Sequence, residues 1–315
     1  MLKDIYAIRI YIFGSKNQKI KKLNRFIKQK TKIMAENLFN EKQLNLLKEV
    51  RELKSSMANL IGFNSRDDDK YSHLIISGPP GLGKTHFVKS LFNERGIPFI
   101  SISGSVSLYA LGVRLSVLNS MRDPNEITYI HVDDSDVIFK DEESCNIFKD
   151  VLFDDQVFIY EKNIRRLLTS LEEHQRLSVE SHMSDNSMGF RVPLQKVVFV
   201  ITTNVPLPTD KQITKLMGKN GLAGIKVHRN AIRSRCRYRD LSFDDSKRWA
   251  WIADVFLKDD YQNEAEEILI KEMISFLWDN RSLMLEHSIR TAEKMLLIAQ
   301  KDPINYLAIW KNEFL

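Results

Sequence analysis

The run Gly78-Pro79-Pro80-Gly81-Leu82-Gly83-Lys84-Thr85 constrains this chain more than any other feature. It satisfies the spacing GxxxxGK[ST], and it lies between an apolar stretch, Leu74 to Ser77, and a helical pattern from Thr85 to Asn93. A chain of phosphates has to be wrapped by backbone N–H groups, so side chains that would block close approach give way to glycine, here Gly81 and Gly83. The following helix adds the partial positive charge of its N-terminus. Lys84 is expected to meet the β- and γ-phosphates, and the Thr85 hydroxyl to complete the coordination of Mg²⁺. The chain is therefore expected to bind ATP with Mg²⁺ along all eight residues of the loop.

Around the loop, strand and helix signals alternate. Strands are expected at Leu74 to Ser77, Phe99 to Ser103 and Ile127 to Val132, and helices at Thr85 to Asn93, Leu108 to Met121 and Ser144 to Leu152. Such alternation argues for an α/β fold, a parallel sheet sandwiched by helices. An amphipathic helix is expected ahead of it, from Ala35 to Phe63, followed by a polar loop at Asn64 to Lys70. A polar stretch with helical periodicity, Asn163 to Met183, precedes the β-branched run Val197 to Thr203, which reads as a buried strand. After Phe243 only helices are expected, at Lys247 to Phe256, Glu264 to Trp278 and Ser282 to Gln300. The expected division is a basic N-terminal arm at 1–34, a nucleotide-binding α/β domain with its leading helix at 35–242, and a small all-helical lid domain at 243–315.

The strand Ile127 to Val132 ends in Asp133-Asp134-Ser135-Asp136, which delivers carboxylates to the sheet edge near the phosphate loop, the Walker B arrangement. Asp133 is expected to hold Mg²⁺ through water, and Asp134 to orient or deprotonate the attacking water.

With those elements in place, Val197-Val198-Phe199-Val200-Ile201-Thr202-Thr203-Asn204 resembles the sensor 1 strand of AAA+ ATPases, P-loop NTPases with a helical lid. The resemblance implies that Asn204 positions the attacking water. Asn230-Ala231-Ile232-Arg233-Ser234-Arg235-Cys236 resembles the Ser-Arg-Cys segment of clamp-loader-type members, which implies that Arg235 reaches into a neighbouring subunit's nucleotide; Arg229, Arg233, Arg237 and Arg239 crowd the same stretch, and only register favours Arg235. Glu286-His287-Ser288-Ile289-Arg290-Thr291 resembles sensor 2, with Arg290 pointing back at the γ-phosphate. The block from Asp133 to Phe139, followed by Asn146 to Lys149, is similar to compact AAA+ proteins of phages and mobile elements. One departure stands out. Most members carry Asp-Glu where this chain has Asp133-Asp134, one methylene shorter, which implies slower hydrolysis or a share of the role for Asp136.

A finger acting across subunits implies a ring homo-oligomer, with a hexamer the expected size. The formal charge of +6 and a pI near 9.1 are compatible with a polyanion partner. The resemblance to phage and mobile-element proteins and to the clamp-loader Ser-Arg-Cys segment, taken with that charge, implies work on DNA, in replication, recombination or packaging. The shortened Asp134 leaves open a regulatory nucleotide switch that hydrolyses slowly. A protein partner stays open as well, because aromatic and basic loop residues grip either polymer. Tyr109 and Tyr160 are the aromatics to test for that role, beside the segments Phe158 to Lys162 and Gly189 to Pro193, with core packing the competing reading for each. The basic run within Met1 to Lys32 reads as a polyanion-binding arm, a targeting peptide, or an extension ahead of a start at Met34. Cys145 and Cys236 stand far apart without a CxxC, which supports neither zinc nor a disulfide framework. No apolar run is long enough to span a bilayer, and a reducing, cytoplasmic setting without a membrane partner is expected.

Overall fold

Seven consecutive residues of Val197–Thr203 (β6) are buried, which for a β-branched run requires layers on both faces. A computed structural model describes residues 39–62, 73–104, 106–134, 136–153, 156–183, 189–217, 224–257 and 264–315. The arm at 1–34 and the loop at 64–70 lie outside these residues. β6 pairs in parallel with Leu74–Ser77 (β1) on one side and Thr128–Asp133 (β3) on the other. Phe99–Ser103 (β2) and Arg237–Asp240 (β7) complete a five-stranded parallel sheet in the order β2-β3-β6-β1-β7. Register fixes which end matters, since Ser77 lies opposite Thr203 and Asp240, and Ser103 opposite Asp133. The phosphate loop, the acidic turn and Asn204 therefore all leave the sheet at its carboxyl edge, where open α/β sheets bind ligands.

The helices on either side create two apolar layers. One face carries Glu41–Gly62 (α1), Lys84–Arg95 (α2) and the C-terminal helices Asp245–Phe256 (α9), Glu264–Asp279 (α10), Ile289–Lys301 (α11) and Tyr306–Phe314 (α12). Their core runs without interruption from Leu47, Met57 and Phe92 through Trp249 and Trp251 to Trp310. The other face packs Ile75, Ile130 and Phe199 against Leu108–Met121 (α3), Glu142–Val151 (α4) and the inner side of Gly224–Ser234 (α8). A parallel sheet between helical layers, with a helical C-terminal segment, is the expected fold class.

Local signals account for the helix ends. Asn40 and Gln43 cap α1 reciprocally, at 2.8 and 3.0 Å. Asp141 accepts the Ser144 N–H ahead of α4, and Ser288 accepts the Thr291 N–H ahead of α11. That last cap corrects an expectation, because the helix expected from Ser282 begins only at Ile289.

Two further differences concern strands. Val157–Tyr160 (β4) and Phe190–Pro193 (β5) pair antiparallel, with the short helices Arg165–Leu168 (α5) and Glu173–Glu180 (α6) between them. Tyr160 is buried, and its ring lies 5.9 Å from Tyr109 and 5.8 Å from Phe190. Tyr160 thus lies in the core with the half-buried Tyr109 packed against it, the core-packing alternative for these two aromatics.

Candidate nucleotide site

The loop after β1 takes its shape from its glycines and from what presses on them. Gly81 and Gly83 have φ of 82° and 71°, in the left-handed region that disfavours a side chain. Space forbids one as well, since a Cβ on Gly81 would lie 2.6 Å from Ser288 Cβ, and one on Gly83 2.5 Å from Ile289 Cδ1. The start of α11 is thus seated on the loop, where the Ile289 N–H donates to the Gly81 carbonyl at 2.9 Å. From behind, the Trp251 indole N–H donates to the Leu82 carbonyl at 2.7 Å. Neither support was read from the sequence; Ser288 and Trp251 sit far from the motif in the chain.

Lys84 opens α2 and is buried. Its Nζ donates to the carbonyls of Gly78 and Pro79, at 2.8 and 3.0 Å, and to Asn204 Oδ1 at 2.9 Å. Burial pushes its pKa down and the neighbouring Arg290 adds to this, while Asp134, Asp136 and Asp133 work the other way. The Thr85 hydroxyl donates to Asp133 Oδ1 at 2.6 Å, and the Thr202 hydroxyl to the same oxygen at 2.7 Å. Burial alone would raise the Asp133 pKa, but these two hydroxyls, His131 and Lys89 outweigh it and hold the carboxyl below its usual range. Beneath it, burial keeps His131 neutral, with a pKa of about 4.

Asp134 is exposed and has φ of 55°, a conformation that turns its side chain out of the strand line. Asn204 Nδ2 donates to Asp134 Oδ1 at 3.1 Å. Asp136 accepts from the Thr203 hydroxyl and from Asn204, so that hydrogen bonding overcomes the cost of burial and lowers its pKa. Thr202 and Thr203 are the residues sequence reasoning passed over. Their signal was two hydroxyls closing a buried run that is otherwise apolar.

The structure brings Lys84, Thr85, Asp133, Asp134 and Asn204 together, with Arg290 close enough for its charge to act on Lys84. It places Arg235 elsewhere. That residue lies between α8 and β7, at the opposite edge of the sheet, since Arg237 pairs with Leu74 at the start of β1. Its guanidinium donates to the Ala231 carbonyl and stands 5.3 Å over the ring of Phe153, itself half exposed. Nearby, Arg229 is tied to the Phe139 carbonyl, Arg233 to Leu207 and Arg239 to Ser56.

These residues fit a magnesium nucleotide. The hydrogen bonds of the buried amine go to uncharged oxygens, those of Gly78, Pro79 and Asn204, which a phosphate oxygen can replace. Among the described residues no three His, Cys, Asp or Glu side chains gather into a metal cage. Thr85 and Asp133, joined at 2.6 Å, offer the one or two protein ligands that Mg²⁺ takes together with phosphate oxygens.

Residues 74–221 match the family model described as ATPase family associated with various cellular activities (AAA). This stretch is an AAA ATPase domain. Such a domain works with ATP and Mg²⁺, in keeping with the loop just described. The chain is 35% identical over 102 residues to the ATP-dependent zinc metalloprotease FtsH of Lachnoclostridium phytofermentans, covering 28% of this chain and 17% of that protein. It is 31% identical over 90 residues to the chloroplastic FTSH 12 of Arabidopsis thaliana, covering 28% and 9%, and 38% identical over 69 residues to FtsH 1 of Symbiobacterium thermophilum, covering 19% and 11%. The matches thus span less than a fifth of these relatives. Among solved structures, the Thermotoga maritima RuvB Holliday junction branch migration motor aligns with a TM-score of 0.39 and 13% identity, over 81% of this chain and 61% of that one. No helix among the described residues is long and apolar enough to cross a membrane.

Proposed function

We propose that the chain is a Mg²⁺-dependent ATP hydrolase that works as a ring homo-oligomer and uses the cycle to remodel or translocate DNA. The observation that carries the hydrolase reading is Asn204, whose amide joins the loop lysine on one side and the exposed Asp134 on the other. In this reading Lys84 and the amides of Gly78 to Thr85 hold the triphosphate, and Thr85 and Asp133 hold Mg²⁺. The ion, when bound, offsets phosphate charge. Asp134 accepts the proton of the attacking water while Asn204 keeps that water in line. An Asp held at positive φ is a strained choice, of the kind found where function fixes the backbone.

Arg290 faces the phosphates from the first turn of α11, so α9 to α12 act as the lid of the nucleotide-binding domain. Arg235 lies too far from its own loop to serve it, so it acts in the nucleotide site of the next subunit. There a guanidinium stabilises charge developing on the transferred phosphoryl group, an effect worth about 10³ to 10⁵ in rate where it has been measured. Net positive charge and the arginines around Arg235 favour DNA as the polymer. Burial pushes the thiol pKa values up to about 11 (Cys145) and about 12 (Cys236), so both stay protonated and unreactive near neutral pH.

A second reading, remodelling of a protein substrate, is favoured by the FtsH relatives. Turnover measured without polymer, with single- or double-stranded DNA, and with an unfolded polypeptide separates the two. DNA stimulation that fades with added salt supports the first reading. Stimulation by polypeptide alone supports the second.

A further inference from the structure

Asp136, the third carboxylate of the acidic turn, keeps different company from the other two. Its Oδ1 accepts from the Thr203 hydroxyl at 2.6 Å and from the Asn204 backbone N–H at 2.8 Å. Its Oδ2 accepts from Asn204 Nδ2 at 3.3 Å. Asp136 therefore grips one residue by both its main chain and its side chain, and closes a ring that fixes the Asn204 rotamer. The Thr203 hydroxyl is held in turn, because it accepts the Val205 N–H at 3.1 Å.

The partners of Asn204 permit a single orientation of its amide. An ammonium only donates and a carboxylate only accepts, so Oδ1 must face Lys84 Nζ, and Nδ2 must face Asp134 and Asp136. Turned by half a rotation, the amide would set donor against donor at Lys84 and acceptor against acceptor at both aspartates. An Asn terminal torsion is otherwise broad and roughly two-fold, so orientation has to come from the surroundings.

We propose that Asp136 is the positioning residue of this site: it locks the side chain of Asn204 in the one orientation that faces Lys84 and Asp134 together. It is neither a second base nor a ligand of the metal. Asp133 differs because its Oδ1 is taken by Thr85 and Thr202, and Asp134 because it is exposed and meets Asn204 through one hydrogen bond. The catalytic consequence rests on the hydrolase reading above; the geometric claim does not.

Asp136→Asn tests it, since the new amide keeps the volume but replaces an acceptor-only group. The first readout is the ¹⁵N side-chain amide resonance of Asn204 in nucleotide-free protein, identified by its loss in Asn204→Ala. It should move clearly in Asp136→Asn and by less in Thr203→Val. An unmoved resonance overturns the proposal. The second is a double-mutant cycle on turnover. Asp136→Asn should lower kcat on the order of 10- to 100-fold with little change in KM, and should cost under about 3-fold when Asn204 is already Ala. An equal loss in both backgrounds would mean that Asp136 acts on the reaction directly, which also overturns the proposal. If Asp136→Asn does not fold, Thr203→Val, which removes one of the three hydrogen bonds to the carboxylate, carries both readouts. Absence of any turnover in the wild type defeats the hydrolase reading alone, and the resonance still decides the role of Asp136.

Discussion

Lys84 is a buried amine that touches only carbonyl oxygens, of its own loop and of Asn204, and this is a costly state unless a stronger anion can replace them. Replacing it removes the charge and its hydrogen bonds to Gly78 and Pro79, while the Ile289 and Trp251 supports of the loop stay in place. Lys84→Ala should therefore weaken MgATP binding on the order of 100-fold by calorimetry while leaving the melting temperature within a few degrees. Asp134 gives the complementary case. It is one methylene shorter than the Glu most AAA+ members carry, and its positive φ already turns it outward. If reach limits the rate, Asp134→Glu should raise turnover several-fold at unchanged KM. A fall in turnover would show that the left-handed backbone at 134 is built for the shorter side chain.

Elements set where those residues stand, and two of them allow direct tests. Trp251 on α9 supports the loop through a single indole hydrogen bond to Leu82, while its ring packs on Phe87 and Phe243. Trp251→Phe keeps much of that packing and leaves the carbonyl without its donor, at a cost of about 1–3 kcal/mol in denaturant unfolding. Within the sheet, His73 precedes β1 and accepts the Phe199 N–H at 3.1 Å. Burial lowers its pKa from 6.5 to about 4. Between those values the unfolded chain binds a proton that the native state refuses, so stability falls as pH drops from about 6.5 toward 4. His131 and His287, also near 4, slope the same way. His73→Gln should flatten the pH dependence of unfolding by up to about 1.4 kcal/mol per pH unit in that window.

The same scale shows what the sequence disclosed. Strands β1, β3 and β6 were legible as short, mostly apolar runs buried on both faces, β2 through Phe99, Ile100 and Ile102 although most of it is exposed, and the helices α2 to α4 as longer stretches in which apolar residues recur. β7 was not, because Arg237-Tyr238-Arg239-Asp240 is an edge strand whose register comes from β1 and not from an apolar pattern. β4 and β5 escaped for a related reason: four residues each, they find one another across some 30 positions. At the site, motif spacing revealed the loop and the acidic turn, and the resemblance to AAA+ members pointed to Asn204. The seating of Ser288, Ile289 and Trp251 on the loop is a tertiary contact, which no local pattern encodes.

At the scale of the whole molecule, one chain carries the nucleotide loop at the carboxyl edge of its sheet and Arg235 at the other. The two meet only if a second subunit presents its amino edge. Arg235→Ala should then abolish turnover with nucleotide affinity nearly unchanged. Mixing Arg235→Ala with Asp134→Ala subunits should restore part of the rate, because some interfaces then combine an intact loop with an intact finger. A finger acting within its own chain would give no restoration.

If Asp134 and Asn204 carry out hydrolysis of a nucleotide held by Lys84, loss of the Asp134 carboxylate stops turnover and leaves binding in place. Phosphate release at saturating MgATP, measured side by side for the wild type and Asp134→Ala, addresses it most directly. The expected result is steady turnover by the wild type, and a variant that binds MgATP with affinity within a few-fold yet releases no phosphate. Equal rates in the two proteins, at zero or above it, would contradict the account.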